Sequence, residues 1–244
     1  MSDAVEIPPA HYEIGNESVP NAAPRHLRRL DEAVWIDAHP VSWAHFEVFV
    51  AAGGYAHGEF WPGGSLPVDG QAGSVDERCR FLLEQAESFR RQCKNWPGGA
   101  REHPITGLTW LEAEAVARFF GARLPFEVEW EAAMTASPDA AKPAPGQRSV
   151  SRLGCPILLG LMQEWTGDTF ASVYYRADFS SRGIPWSPER SGMLISVRGA
   201  SPYNLYQHVA TRVGRNPHEG HAYCGFRRVW DHPPAQSELT PEWR

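Results

Sequence analysis

Residues 103–134 read HPITGLTWLEAEAVARFFGARLPFEVEWEAAM, and this stretch decides the fold. Thr109 and Glu112 have the spacing of a capping box, in which each side chain accepts a hydrogen bond from the other residue's backbone N–H at a helix start. The apolar residues that follow recur every three or four positions, so they predict a helix that Gly121 ends. Pro125 then favours the start of another helix. The stretch therefore predicts two helices joined by a short turn.

The residues before this stretch predict one strand and two further helices. Val34–Asp37 reads as a short strand, and Ser42 is a suitable N-cap for a helix with apolar residues facing inward. Ser74 and Glu77 form a second capping-box pattern, and apolar residues three or four apart follow them. The clearest helix of the chain is therefore predicted from about residue 75 to residue 94.

The four cysteines form no disulfide or zinc pattern. They are sparse for a chain of 244 residues, and their spacings differ from the paired C-x2-C of a structural zinc site. Cys79 and Cys93 fall on the apolar stripe of the predicted long helix and share no nearby cationic residue, which favours a core position over a nucleophilic role. We expect reduced thiols.

Short strands are predicted after the helices, at 193–197 and 224–229, where apolar and β-branched residues cluster. Residues 1–30 are polar and contain four prolines, which predicts either an irregular wrap or a mobile arm. We therefore expect a polar N-terminal arm over 1–30, one domain over 31–230 and a polar tail over 231–244.

Composition and charge exclude several classes of protein. No apolar run approaches the roughly 20 residues that a membrane helix needs. The net charge of −6 comes without a long run of either sign, so no footprint for nucleic acid or a membrane surface is present. The first six residues lack the basic start and apolar core of a secretory signal, which makes the cytoplasm the expected compartment. Neither a G-x-S-x-G turn nor a phosphate-binding glycine loop occurs, which argues against hydrolase and kinase chemistry.

Further motifs lie before and after residues 103–134, and their order along the chain is specific. They are Trp35–Asp37 with Pro40–Ser42, Gly160 with Glu164–Thr166 and Asp168, Arg198–Ser201, and Gly225–Arg227. Taken together, about residues 12–230 resemble the formylglycine-generating-enzyme (sulfatase-modifying-factor) family, a variant of the C-type-lectin-like fold.

The resemblance implies a single α+β domain that is formylglycine-generating-enzyme-like (C-type-lectin-like) and loop-rich, with two main helices and short antiparallel strands. Within it, Arg123, Glu127 and Glu131 are charges held in place by a helix start. We expect these three side chains to form structural salt bridges.

The copper chemistry of the family is not expected here. Formylglycine generators resemble one another in a C-x4-C pair that follows R-G-G-S, binds copper and oxidises a substrate cysteine. In this chain no cysteine occurs between Cys155 and Cys224, and the side chains in that region offer no sulfur to soft Cu(I). Calcium at a full site is not favoured either, because Leu161 stands where the family has Asn, although Glu164 remains.

Other members of this family also lack the cysteine pair. They include maturation proteins of peptide siderophores, domains of iron sulfoxide synthases, and ligand-binding proteins of retroelements. The resemblance leaves two hypotheses: an oxidoreductase-type protein for oxidative tailoring of a peptide or small metabolite, and a non-catalytic module that binds a ligand or a protein partner. The sulfoxide synthases take their iron ligands from a separate helical-bundle domain, so a partner chain would have to supply them here.

The resemblance places a ligand groove along the segment that follows Arg198–Ser201. The predicted groove residues are Trp165, Glu164, Tyr203, Asn204, Tyr206, His208 and Arg212. Tyr and Asn offer a broad contact area and adaptable hydrogen bonds at a small entropic cost. The alternative is that the tyrosines and the histidine only pack an irregular loop.

A metal site is the second candidate. His218, His221 and Cys224 have the spacing His-x2-His-x2-Cys, and His208 lies ten residues before the first of them. Imidazole and thiolate together would suit iron, copper or zinc. No pattern for a fourth ligand follows, so the alternative is a solvated loop before a closing strand.

Overall fold

The computed structural model describes residues 4–64, 72–92, 99–135, 149–171 and 192–239. The helices in these ranges are α1 (Trp43–Ala51), α2 (Ala72–Gln92), α3 (Trp110–Phe119), α4 (Glu127–Met134) and α5 (Gln236–Leu239). The strands are β1 (Ala4–Ile7), β2 (Ala10–Ile14), β3 (His26–Leu30), β4 (Val34–Asp37), β5 (Ser149–Val150), β6 (Pro156–Ile157), β7 (Met162–Thr169), β8 (Ile195–Ala200), β9 (Arg212–Arg215), β10 (Cys224–Phe226) and β11 (Val229–Trp230). This is the loop-rich mixture of helices and short strands that the sequence predicts. Within the described ranges, every helix is too short or too polar to span a bilayer.

The helix starts follow the capping patterns at α3 but not at α2. Thr109 N donates to Glu112 Oε2 at 2.8 Å, and Glu112 N donates back to Thr109 Oγ1 at 3.2 Å, so the predicted capping box forms. Helix α2 begins at Ala72, two residues before the predicted cap Ser74, which therefore lies inside the first turn. Cys93 lies outside the described residues, whereas Cys79 packs partly buried against the core.

Four strands form the central sheet in the order β10-β7-β8-β9. The β7–β8 and β8–β9 pairs are antiparallel, as predicted. The closing strand β10 differs, because it pairs parallel to β7, with Cys224 beside Gln163 and Phe226 beside Trp165. This parallel pairing brings the loop before β10 to the same end of the sheet as the start of β7.

The N-terminal segment is more regular than its prolines predict. Strand β1 pairs antiparallel with β4, and β2 and β3 pair with each other as an antiparallel hairpin. Ile7, Ile14 and Leu30 are buried in a cluster with residues of α4. The expected irregular wrap or arm is therefore replaced by strands over much of residues 4–30, because these apolar side chains need a buried face.

The polar tail also contacts the domain. Leu239 in α5 is buried, and its carbonyl oxygen accepts a hydrogen bond from Arg228 Nη2 at 3.3 Å. Arg228 also pairs with Asp37, through an Nε to Oδ2 distance of 2.9 Å. The end of the described chain is thus held by hydrogen bonds from Arg228, which is itself fixed by its buried ion pair with Asp37.

The two faces of the central sheet have different chemistry. Side chains alternate along a strand, so Trp165, Val197 and Phe226 share one face, and they join the aromatic core beneath α1 and α3. Glu164 and Arg198 are register partners on the other face, which packs on α4. The sheet therefore separates an apolar layer from a buried layer of charges.

His45 makes the stability of this arrangement depend on pH. Its Nδ1 lies 2.9 Å from Ser42 Oγ and its Nε2 3.0 Å from the Leu239 oxygen. Burial and the nearby Arg228 lower the pKa of His45 from 6.5 to about 4. Because the unfolded chain binds this proton more tightly than the folded chain does, protonation favours unfolding between these two pH values.

We expect the free energy of unfolding to fall as the pH drops from about 6.5 to about 4, by up to about 1.4 kcal/mol per pH unit from this group. His45→Gln removes that part of the slope, and His57→Gln, at an exposed site, keeps it. Urea denaturation of the three proteins across this range is the measurement. Equal slopes for wild type and His45→Gln would contradict the assignment.

Candidate functional site

The charged layer is organised by Glu127, in the first turn of α4. Its carboxylate accepts hydrogen bonds from Arg212 Nε at 2.6 Å and Arg212 Nη2 at 2.5 Å. Arg198 Nη1 donates to the same carboxylate at 3.0 Å. All three side chains are buried. Burial raises the pKa of Glu127, but Arg212 and Arg198 outweigh it and hold this pKa below its ordinary value.

The N-terminal segment closes over this layer. Arg198 Nη2 also pairs with Glu131, whose other oxygen accepts from Gly15 N at 2.9 Å. Arg212 Nη1 donates to the carbonyl oxygen of Asn21 at 3.0 Å. The predicted structural salt bridges of Glu127 and Glu131 are confirmed, and the hydrogen bonds at Gly15 and Asn21 tie the N-terminal segment to them.

Arg123 pairs as predicted at the other side of α4. Its Nη2 lies 2.7 Å from Glu129 Oε1 and 2.8 Å from Asp231 Oδ1. Its guanidinium also stacks over the ring of Phe126, 4.8 Å from the centroid. The Arg123 guanidinium therefore has a structural role, as the sequence predicts.

Glu164 does not fit a calcium site in this chain. Its Oε2 accepts from Trp130 Nε1 at 2.8 Å and from Arg227 Nε at 2.9 Å, inside the protein. Leu161 offers no side-chain oxygen beside it. Calcium needs six to eight oxygen ligands, and here the Arg227 guanidinium neutralises the Glu164 carboxylate.

Residues 201–211 form the surface loop that follows β8. Asn204 Oδ1 accepts from Ser201 N at 2.8 Å, and Gln207 Nε2 donates to the carbonyl oxygens of Ser201 and Asn204 at 3.0 and 2.8 Å. These bonds fix the loop while leaving Tyr203 76% and Leu205 87% exposed. We call this loop the tyrosine loop.

The tyrosine loop contacts Tyr223 and the N-terminal segment. The ring of Tyr203 lies edge-on to that of Tyr223, with centroids 5.2 Å apart. His208 accepts from Ala210 N at 2.9 Å through Nδ1, and its Nε2 lies 3.4 Å from Asn16 Nδ2. The loop is therefore held by Tyr223, which directly precedes β10, and by Asn16 of the N-terminal segment.

The seven predicted groove residues do not line one surface. Tyr203 and Tyr206 are exposed on the tyrosine loop, together with the partly exposed Asn204 and His208. In contrast, Trp165, Glu164 and Arg212 are buried. Glu164 and Trp165 are adjacent in a strand, so their side chains must point to opposite faces of the sheet. The structure thus assigns the last three to the interior.

The predicted metal ligands are not brought together. His218 is exposed, whereas Cys224 is buried and its pKa is raised by that burial. His221 Nδ1 lies 3.3 Å from Arg215 Nη1. In the part of the chain that the structure describes, no group of three or more His, Cys, Asp and Glu could hold a metal ion. The expected site at His218, His221 and Cys224 is therefore not formed, because Cys224 points into the core.

The donors present do not fit the family's copper ion. The segment after Arg198–Ser201 supplies phenol, amide and imidazole groups rather than thiolates. Cys224, in the loop's closing strand, is buried in the aromatic core with a raised pKa, which disfavours the thiolate form that binds metals.

Sequence reasoning missed a polar cluster at the start of β7. Gln163 is 1% exposed, and its Oε1 accepts from Arg215 Nη2 at 2.6 Å and from Arg215 Nε at 3.2 Å. His221 contacts the same guanidinium. We call Gln163, Arg215 and His221 the polar cluster. Residues 52 positions apart meet in it, so no local pattern could reveal it.

The fold and these sites define a loop-rich α+β protein of the type that the motifs indicate. The model of the sulfatase-modifying factor enzyme 1-like domain matches residues 1–149. The chain belongs to this family. It keeps the family's packing motifs and lacks the cysteine pair of the formylglycine generators.

Three curated relatives illustrate the range of the family. The chain is 27% identical over 156 residues to the serine/threonine-protein kinase Pkn1 of Chlamydia trachomatis, covering 55% of this chain and 25% of that protein. It is 27% identical over 173 residues to hercynine oxygenase of Mycolicibacterium thermoresistibile, covering 60% and 38%. It is 25% identical over 254 residues to formylglycine-generating enzyme of Bos taurus, covering 83% and 67%. The chain thus spans between a quarter and two fifths of the length of the first two relatives.

Solved structures share the fold over nearly the full chain. PvdO from Pseudomonas aeruginosa matches with a TM-score of 0.58 and 15% identity, covering 93% of each chain. Treponema denticola variable protein 1 matches with a TM-score of 0.58 and 13% identity, covering 93% of this chain and 94% of that one. At these identities the likeness establishes the common architecture.

We expect Glu127→Gln to lower the free energy of unfolding by about 3–5 kcal/mol, because it leaves two buried guanidinium groups without their shared carboxylate. The matched control is Glu47→Gln, which removes an exposed partner of Arg101 and should cost under about 1 kcal/mol. Urea denaturation at neutral pH measures both. A loss for Glu127→Gln as small as for Glu47→Gln would refute the central role of this carboxylate.

Proposed function

We propose that this chain takes part in the oxidative tailoring of a peptide or small metabolite, with the tyrosine loop as its substrate-facing surface. The observation that carries the proposal is the exposure of Tyr203 and Leu205 on a loop that is fixed by its own hydrogen bonds. Large apolar side chains on a rigid loop bind a partner with little loss of conformational entropy.

Family membership supports the oxidative part of the proposal. Relatives of this chain are named hercynine oxygenase and formylglycine-generating enzyme. The proposed activity takes dioxygen as its oxidant, as the name oxygenase implies for that relative. Because the segment after Arg198–Ser201 offers no thiolate, the route does not use cysteine-bound copper. The redox metal and its ligands are proposed to come from a partner chain.

The buried charges support a positioning role for the sheet. Arg198 and Arg212 flank the tyrosine loop in sequence, and both are bonded to Glu127. Arg198 Nη2 also donates to the carbonyl oxygen of Val209, within the loop, at 3.2 Å. The ion network thus anchors both ends of the tyrosine loop, which keeps Tyr203 in a defined place.

A second candidate function is a non-catalytic module that binds a ligand or protein. The same exposed side chains favour it, because Tyr203 and Leu205 present apolar area without requiring any chemistry. The two candidates differ in one respect: an oxidative tailoring protein changes the mass of what it binds, whereas a binding module releases it unchanged.

The test is a turnover assay by liquid chromatography and mass spectrometry. The protein is incubated with added Fe(II) or Cu(I) and with thiol-containing peptides and small metabolites, in air and without oxygen. Each reaction is run alone and with an extract of the source cells, which can supply the partner chain. We expect an oxygen-dependent mass change in a substrate. Tyr203→Ala with Tyr206→Ala should slow it by at least about tenfold, since each lost aromatic contact removes binding energy.

The control variant is Leu27→Ala, which removes another exposed large apolar side chain, from β3, and should leave the rate unchanged. Binding of the substrate without any mass change, weakened by the tyrosine substitutions, would support the binding module instead. Conversion that is equally fast in the tyrosine variant would remove the tyrosine loop from the proposal.

A further inference from the structure

The polar cluster contains hydrogen-bond donors that lack acceptors. Both bonds that Gln163 receives use its Oε1, which leaves the amide nitrogen as the free end of the side chain. That Nε2 atom is buried and has no hydrogen-bond partner among the described residues. Leaving a buried N–H group without an acceptor costs free energy, so such an atom calls for an explanation.

His221 adds a second unmatched donor. Its Nδ1 faces Arg215 Nη1 at 3.3 Å, and a guanidinium can only donate, so Nδ1 is the acceptor. In the neutral ring the proton then resides on Nε2. This atom too is buried without a partner in the described ranges. The centroid of the His221 ring lies 6.0 Å from that of Trp165, with the two ring planes tilted by 46°.

The hydrogen-bonding groups that remain unused in the cluster are therefore all donors. Arg215 donates three of its five N–H groups to Gln163 and His221, and the other two make no hydrogen bond within the cluster. Gln163 is almost fully buried, whereas Arg215 and His221 are half-buried and connect the cluster with solvent. The complement of such a site is a ligand that carries several acceptors and a negative charge.

We infer that Gln163, Arg215 and His221 form a subsite for a carboxylate group of the substrate. This inference rests on the proposed function and names the chemistry by which the substrate is held. A guanidinium with two free N–H groups suits the two oxygens of a carboxylate. The amide nitrogen of Gln163 and Nε2 of His221 are further donors for the carboxylate oxygens.

The charge balance favours a monoanion. The groups that act on the His221 ring are the cationic Arg215 and, more weakly, the anionic Glu219. Glu219 is exposed, and it accepts from Asn216 Nδ2 at 2.9 Å. One guanidinium beside one carboxylate offers little net positive potential for a dianion such as phosphate. A single carboxylate therefore matches the site better.

The polar cluster is also coupled to the tyrosine loop. The backbone N–H of Gln163 donates to the carbonyl oxygen of Tyr223 at 2.8 Å, and the ring of Tyr223 packs against that of Tyr203. Tyr223 thus connects the polar cluster with the tyrosine loop. A ligand whose carboxylate binds at the polar cluster can therefore contact the surface that is proposed to face the substrate.

The experiment is a titration with N-acetylglycine, followed by the ring-proton resonance of His221. That resonance is assigned by its loss in His221→Gln. We expect a saturable shift with N-acetylglycine and none with N-acetylglycinamide, which lacks the negative charge. Gln163→Leu and Arg215→Gln should each weaken binding by at least about tenfold, in line with the loss of a charge-assisted hydrogen bond.

Two further variants keep this test decisive. Arg101→Gln removes an exposed arginine that pairs with Glu47 rather than with the polar cluster, and this variant should bind N-acetylglycine like wild type. Arg215→Lys keeps the charge, preserves folding more safely than Arg215→Gln and should bind with intermediate affinity. Absence of a saturable shift, equal binding of the amide, or unchanged affinity in Arg215→Gln would each overturn the subsite.

This result can be separated from that of the turnover assay. Loss of N-acetylglycine binding with oxygen-dependent conversion intact would remove the subsite and leave the proposed function standing. Binding of N-acetylglycine to the polar cluster without conversion of any substrate would retain the subsite and favour the binding module.

Discussion

The carboxylate of Glu127, held between Arg198 and Arg212, is the interaction on which the rest of the structure depends. Both guanidinium groups project from neighbouring strands of one sheet face, which packs on α4. Neither could be buried there without a shared anion, because an unpaired buried charge is strongly unfavourable. The helix start places that anion, and Glu131 one turn later extends the network to the N-terminal segment.

Local patterns predicted the elements whose causes are local. The capping box at Thr109 and the helix stop at Gly121 need only residues a few positions apart, and both form. The salt bridges of Glu127 and Glu131 could be predicted as a class, but not their arginine partners, which lie 67 to 85 positions further along the chain. The strands in residues 4–30 could not be predicted from their short apolar alternation, because the four prolines of residues 1–30 favour irregular structure.

The groove was mispredicted for a physical reason that was present in the sequence. Residues 162–169 form a strand, and the two-residue period of a strand places the side chains of Glu164 and Trp165 on opposite faces of the sheet. The polar cluster could not be predicted in the same way. Gln163 and Arg215 lie 52 positions apart, and only the sheet brings the amide and the guanidinium together. The proposed function therefore rests on residues that the quoted motifs do not name, held by a scaffold that the motifs predict.

The charged layer links this scaffold to the proposed substrate surface, since Arg198 and Arg212 anchor the two ends of the tyrosine loop. Hydrogen–deuterium exchange of wild type and Glu127→Gln, under conditions in which both are folded, tests that link most directly. The account predicts faster amide exchange in Glu127→Gln across residues 201–215, with the exchange of α3 unchanged. Unchanged exchange across residues 201–215 would contradict it.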